Sequence, residues 1–364
     1  NDSAGNRNDT ASIVFSVENT NIAACTILDT AGTTYTLTQA LTTTGSCINI
    51  AADNVTLDGA GNAIDGDKSG ADIGINVTGR INVTIKNINV TDFAYGIYFS
   101  GTNNSLISIV NVSNNGDGAI VIGTGILLAA SYNNTIEYSA IKDNSADGSG
   151  FGIELNSNSN NNIIRNNSVI GNDVGISIPS SNNIILNNTF NNSIYGAGIA
   201  ISGSNNTLTS NIANGNSNDH GISLTGNSNT LINNTANSNG LAGITLTSSH
   251  NNSLANNTMQ SNVQNGILIS NSANNTITGG LVNNSRRDSI ILTGTATLNN
   301  NITNVSILGT NASWYDIKFN TAALNGTYLI DMPHIGNYTF TGTGSIVYVK
   351  DSRFGEIRFL QAVN

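Results

Sequence analysis

The sequence predicts an all-β fold, a single-stranded right-handed parallel β-helix of about 10–11 coils of ~23 residues with caps at both ends. Three observations lead there. A phrase repeats at a nearly constant interval, apolar residues recur two apart within each repeat, and the composition disfavours helices. The phrase is Gly-Ile, at Gly96, Gly125, Gly152, Gly175, Gly198, Gly221, Gly243 and Gly266, with Ser289-Ile290 continuing it. The spacings are 29, 27, 23, 23, 23, 22, 23 and 23 residues, and Gly74-Ile75 fits one period earlier.

The apolar columns come next. One runs Ile97, Ile126, Ile153, Ile176, Ile199, Ile222, Ile244, Ile267, Ile290. Two residues on run Phe99, Leu128, Leu155, Ile178, Ile201, Leu224, Leu246, Ile269, Leu292. Residues two apart share one face of a strand. A third column, Leu106, Ile136, Ile164, Ile185, Leu208, Leu231, Leu254, Ile277, marks a second strand in each repeat. Equivalent strands of successive repeats then pair in parallel about 4.8 Å apart, giving a rod on the order of 50 Å long. Right-handed coiling follows from the handedness of parallel crossovers.

Composition supports this. The chain has 66 Asn, 39 Ser, 39 Thr and 38 Gly, half of all residues, and these are poor helix-interior residues. Hydrophobic residues reach 38 %, too many for a disordered chain. Charged residues are only 9 %, and the net charge of −10 argues against nucleic-acid binding. The longest mostly apolar stretch, Ala119 to Ala130, is too short to span a bilayer.

Asparagine forms columns of its own. The first is Asn104, Asn134, Asn162, Asn183, Asn206, Asn229, Asn252, Asn275. The second is Asn167, Asn188, Asn211, Asn234, Asn257, with Gly280 in the last place. Asn tolerates the left-handed backbone of a sharp corner, and stacked amides hydrogen-bond from coil to coil, so these columns are structural ladders.

Residues 1–45 read as an N-terminal cap with first strands, including Ile13–Val17; 46–310 as the β-helix; and 311–364 as irregular final coils, a cap or a link to a further module. A solenoid end needs covering because open strand edges aggregate. The chain starts at Asn1 without a signal peptide, as a mature product or a piece of a longer chain would. Cys25 and Cys47 are the only cysteines and are expected to form a disulfide in an oxidising compartment.

The run from Ile48 through Asn54-Val55-Thr56-Leu57-Asp58-Gly59-Ala60-Gly61-Asn62 to Gly66, with the later Gly-Ile and Asn-Asn-Thr-Ile phrases, resembles the NosD-like right-handed β-helix repeat family of the pectin-lyase-like fold. The resemblance covers roughly residues 25–310 and is closest to Asn-rich cell-surface proteins of archaea. It implies the fold. For function it points to several classes at once: copper-enzyme maturation in the periplasm, polysaccharide-active enzymes, and surface proteins of no known chemistry. Tyr348 to Leu360 resembles connecting segments of multi-module archaeal surface proteins.

No catalytic residues stand out. Residues 175–285 hold a single charged residue, Asp219, so that stretch cannot supply an acid–base pair. His220 and His250 fall at different points of their repeats, which separates them. Asp58, Asp65 and Asp67, near Asp53, Asp72 and Lys68, form a candidate Ca²⁺ site, although Asp-Gly is ordinary turn chemistry. Glu137, Lys142, Asp143, Asp147 and Glu154 gather around the longest coils and are the candidates for a sugar hydrolase site. Arg286-Arg287-Asp288 reads as a solvated turn.

Asn-X-Ser/Thr occurs 23 times, more than composition alone gives. In Asn205-Asn206-Thr207 the ladder residue is Asn206, so Asn205 points outward. The same logic selects Asn103, Asn133, Asn251 and Asn274, and after the next strand Asn187, Asn233 and Asn256, as N-glycosylation candidates in rows along the rod. The expectation is a non-enzymatic extracellular structural glycoprotein: a rigid rod at the cell surface that self-associates into a layer, filament or adhesin, with N-linked glycans and no cofactor. The alternative is a secreted polysaccharide-binding or polysaccharide-cleaving β-helix protein, a lyase, hydrolase or epimerase if an enzyme.

Overall fold

The protein is described from a computed structural model. It describes residues 19–308 except 117–122, 146–147 and 149, then 316–318 in full and the strands of 319–320, 326–332, 338–340, 345–351 and 357–361 by their backbone. The segment Ile13–Val17, Asp147 and Trp314 lie outside the described residues.

The chain winds as a right-handed all-β solenoid of about 12 coils of ~23 residues, without helices among the described residues. Each regular coil has three faces. Face one carries the Gly-Ile strands, such as Val174–Ile178, Ile199–Ile201 and Ile222–Leu224, in a 14-stranded parallel sheet. Face two carries the next strands, such as Ile184–Leu186, Thr207–Thr209 and Thr230–Ile232. Face three carries the last, such as Ala140–Lys142, Ser168–Ile170 and Thr189–Asn191. Where a coil is tight, face three shrinks to single bridges at Ile212 and Thr235. Two long strands, Thr84–Thr91 and Leu106–Ser113, run through the corner and join faces two and three.

Parallel pairing starts at Asn19–Ile22 with Thr34–Leu37 and continues through Ile317–Asn320 to Tyr338–Phe340. The antiparallel exception is Ser345–Asp351 with Ile357–Gln361. Cys25 and Cys47 form the disulfide; they sit one coil apart, beside the pairing of Ile27–Leu28 with Asn49–Ile50.

The first two apolar columns are buried throughout, from Ile97 and Phe99 to Ile290 and Leu292. The third column needs one correction. Ile107, not Leu106, pairs with Ile136 and is fully buried, whereas Leu106 pairs with Thr135. The connection before that strand varies in length from coil to coil, so counting from the Gly-Ile phrase slips by one residue. A slip of one moves a side chain to the opposite face. Face three adds a column the sequence did not announce: Val112, Ile141, Val169, Phe190, Ala213, Ala236, Met259, Val282, Ile307. Bulky Phe190 is followed by two alanines, so its size alternates along the stack and hides the period.

The corners follow one rule. The chain turns with a residue in the left-handed region, and the next residue points its side chain inward. At the corner between faces one and two, Asn133, Asn161, Asn182, Asn205, Asn251 and Asn274 have φ between 57° and 60°. The inward residues after them form the first ladder. The Asn183 N–H donates to Oδ1 of Asn206 (2.8 Å), Asn206 to Asn229 (2.8 Å) and Asn229 to Asn252 (2.7 Å). Nδ2 of Asn206 donates back to the Ser180 carbonyl (3.0 Å). Turning breaks the strand ladder and leaves a buried N–H that needs an acceptor, and the Asn of the next coil supplies it. The second ladder, Asn167 to Asn257, does the same between faces two and three.

Two refinements follow. The left-handed residue and the hydrogen-bonding residue are different neighbours, not one Asn doing both jobs. Asn104 is a left-handed residue (φ 53°), and Ser105 takes the ladder place before Asn134. A third ladder, missed in the sequence, closes the corner between faces three and one: Asn115, Asn144, Asn172, then Asn216, Asn239, Asn262.

Candidate functional site

The outward asparagines are placed by the corner rule. Asn133, Asn187, Asn205, Asn233, Asn251, Asn256 and Asn274 are exposed, left-handed residues ahead of a buried ladder Asn. Asn103 is not in the row; Asn104 occupies that place. Asn103 is half-buried, accepts the Tyr132 N–H on Oδ1 (2.9 Å) and donates to the Gly101 carbonyl. The one-residue slip that misplaced Leu106 displaced it too.

The carboxylates expected to bind Ca²⁺ are engaged separately. Asp58 accepts the Ala60 N–H (2.9 Å) and Asn87 Nδ2 (3.2 Å) and pairs with Lys86 (3.2 Å). Burial works against its ionisation, but these contacts hold it below the ordinary range. Asp67 caps a turn through the Ser69 N–H (3.0 Å) and hydroxyl (2.7 Å), which lowers its pKa. Asp65 is raised, first by burial and then by the Asp92 carboxylate beside it; Lys68 pairs with Asp92 at 3.2 Å. Among the described residues no three His, Cys, Asp or Glu side chains gather as a metal site.

The second charge group is also dispersed. Glu137 lies on face two and pairs with Arg165, whose Nε donates at 2.7 Å. Glu154 lies on face one. The two cannot act on one bond. Asp173, which the sequence did not single out, is fully buried and ties the loop before face one, accepting from Ser145 Oγ (2.7 Å), Gly148 N (3.1 Å) and Gly150 N (2.8 Å). Arg286 and Arg287 are exposed, but Asp288 is buried and pairs with Lys318 (3.6 Å), so that turn is only partly solvated.

The histidines serve the coil, at different corners. His220 Nδ1 accepts the Ala242 N–H (3.0 Å), and His250 Nδ1 accepts the Ala273 N–H (3.0 Å). Burial lowers the His220 pKa against the pull of Asp219. Both are half-buried rather than fully solvent-facing.

One cluster on the outer side of face one has other features. The register stacks Asn76, Tyr98, Leu127, Glu154 and Ser177 in successive coils, with Tyr95 and Phe151 three residues before Tyr98 and Glu154. The Tyr95 and Tyr98 rings are 5.8 Å apart and tilted. Leu127 points outward yet is only 7 % exposed. Burial raises the Glu154 carboxyl above the glutamate range, and no cation pairs with it among the described residues. Burial and then the charge of Glu154 raise Tyr95. A half-buried acid in one row with Leu127 and Tyr98 can exchange hydrogen bonds with hydroxyl groups, and the two tyrosines can offer ring faces to apolar C–H surfaces.

Residues 68–190 and 174–307 match the family described as "Right handed beta helix region". The chain belongs to this right-handed β-helix family. No curated protein matches its sequence. Several solved β-helices resemble this one. A mutant of the periplasmic alginate epimerase AlgG is 13 % identical, with 88 % of this chain and 77 % of that one covered and a TM-score of 0.55. The A-module of the Azotobacter vinelandii mannuronan C-5 epimerase AlgE4 is 15 % identical, with 89 % and 88 % covered and a TM-score of 0.54. The pre-mature bacteriophage phi29 gene product 12 is 14 % identical, with 94 % of this β-helix and 54 % of that chain covered and a TM-score of 0.62. At these identities the likeness is one of fold. No helix among the described residues is long and apolar enough to cross a membrane.

Proposed function

We propose that this β-helix is a secreted polysaccharide-binding protein that holds a glycan strand along face one, over Tyr98, Leu127 and Glu154. The observation that carries it is Glu154: a half-buried carboxyl without a cation among the described residues, raised by burial, in one outward row with Leu127 and Tyr98, its charge raising the Tyr95 pKa. The alginate epimerases share only the fold, but they are polysaccharide-modifying proteins by name, which is consistent with this reading. The net charge of −10 favours neutral glycans over acidic ones. Binding is favoured over cleavage because hydrolysis needs two carboxyls flanking the bond, and Glu137 is on another face. The disulfide fits an oxidising compartment outside the cytoplasm.

The test is calorimetric titration with xylan-, mannan-, cellulose- and glucan-derived oligosaccharides, with mass spectrometry for products. Wild type should bind at least one series without cleaving it, and Tyr98→Ala should weaken binding at least tenfold. No binding by wild type would end the proposal. Cleavage that Glu154→Gln abolishes would replace binding with catalysis.

A second reading, a glycosylated structural rod, is supported by the exposed corner rows, where Asn133, Asn205, Asn251 and Asn274 each precede a Ser or Thr two residues on. Self-association of such rods and a surface location belong to that reading. Some peptides of native material from this row should carry hexose mass; bare peptides throughout would sink it.

A further inference from the structure

At the corner between faces two and three, coil after coil uses a residue suited to the left-handed region: Asn87, Asn166, Asn187, Ser210, Asn233, Asn256, Gly279 and Asn304. Two coils place a large apolar or aromatic side chain there, Ile109 (φ 55°) and Tyr138 (φ 50°). A β-branched residue there is a backbone outlier. Neither side chain is buried in return, since each is 58 % exposed. Strain held without a packing gain is characteristic of binding sites.

The two side chains border a recess of about 510 Å³. It is also lined by Ala60, Gly61 and Asn87, and by Asn89, Asn111 and Ala140, which stack in register on face three. No charged side chain lines it. Asn87 Nδ2 and Asn89 Nδ2 are held by Asp58 Oδ1 (3.2 Å) and the Gly61 carbonyl (3.0 Å), which orients both amides. Asn111 Oδ1 is buried without a hydrogen-bond donor.

We infer that this recess binds one or two residues of a neutral saccharide. The C–H face of the sugar lies against Tyr138 and Ile109, and its hydroxyls meet Asn89 and Asn111. The volume falls in the range of small-ligand sites, and an uncharged lining of amides with an aromatic edge matches a neutral polyhydroxyl ligand better than an ionic one. The ligand class rests on the carbohydrate reading of the protein, but the site does not, because it is on a different part of the coil from Tyr98 and Glu154.

The experiment is saturation-transfer NMR and calorimetry with neutral xylo-, manno-, cello- and malto-hexaose on four proteins: wild type, Tyr98→Ala, and Tyr98→Ala combined with Tyr138→Asn or with Ile109→Asn. Asn is the residue the corner already uses, so both corner variants should fold. Ile109→Asn should raise Tm by a few degrees as the strain is relieved. With face one disabled by Tyr98→Ala, transfer to sugar C–H protons should persist, and adding either corner substitution should abolish it, with affinity at least tenfold weaker. Transfer already lost in Tyr98→Ala alone overturns the inference and leaves the face-one proposal standing, and transfer retained after Tyr138→Asn is added to Tyr98→Ala overturns the inference as well. Absence of binding in wild type overturns both.

Discussion

A single Asn type does two jobs at each corner, and neighbouring residues divide them. Asn205 bends the chain in the left-handed region; Asn206 accepts the Asn183 N–H and donates to Ser180. Their substitutions should therefore differ. Asn206→Ala strands a buried N–H and is expected to cost about 1–3 kcal/mol. Asn205→Gly keeps the bend and should be nearly neutral in a denaturant titration, while Asn205→Val should cost at least ~1–2 kcal/mol. Equal effects for Asn206→Ala and Asn205→Gly would mean the jobs are not divided. Glu154 supplies a pH test. Its native carboxyl holds the proton more tightly than the unfolded chain does. The stability tied to that proton is therefore complete below the unfolded glutamate pKa and is lost as pH rises through the higher native one. Glu154→Gln should unfold at a higher temperature than wild type at neutral pH, and the two should converge in acid. The Asn-Asn pairs were legible because they recur in phase with Gly-Ile. Ser105, Ser139 and Ser193 were not, since a hydroxyl replaces the amide at the same place.

The repeating element is a strand of face one preceded by glycine, and the structure explains that glycine by space rather than by backbone freedom. A Cβ on Gly198 would lie 2.6 Å from Asn216 Nδ2, 2.8 Å from the Phe190 carbonyl and 3.0 Å from the Gly221 carbonyl. Two of these are backbone atoms of the preceding and the following coil and cannot rotate away. The third coil corner and face one close against each other there. Gly198→Ala is expected to cost about 1–3 kcal/mol through overpacking, read as a lower midpoint in urea, whereas Gly45→Ala, with open space around it, should change little. The face-one period was legible because its residues are invariably Ile, Leu or Phe on both inward positions. Face three was not legible, because Phe190, Ala213, Ala236 and Met259 vary in size and two of its strands shrink to single bridges.

As a whole the molecule is a stack in which each coil contacts only its neighbours, so stability is close to a sum of local terms. The Cys25–Cys47 disulfide closes a loop of 22 residues across the first coils. Reduction should cost about 3 kcal/mol on the loop-closure account, and hydrogen exchange should quicken in the coils near residue 50 while those near residue 220 keep their protection. Glycan occupancy also has a whole-molecule limit. Asn233 and Asn256 occupy the same corner of adjacent coils, about 4.8 Å apart, as do Asn251 and Asn274. Two branched glycans do not fit at that spacing, so intact-peptide mass spectrometry of glycosylated material should find at most one sugar chain in each pair. The sequence by itself determined the parallel coil, its period, the inward columns of face one and two of the three amide ladders, because stacking coil on coil forces equivalent residues to repeat. Only the tertiary structure decided which charged residues meet. It placed Glu137 and Glu154 on different faces, set Glu154 in one row with Leu127 and Tyr98, and put Ile109 and Tyr138 side by side at a strained corner. Those placements depend on connection lengths that differ from coil to coil, and a change of one residue there turns a side chain from inside to outside.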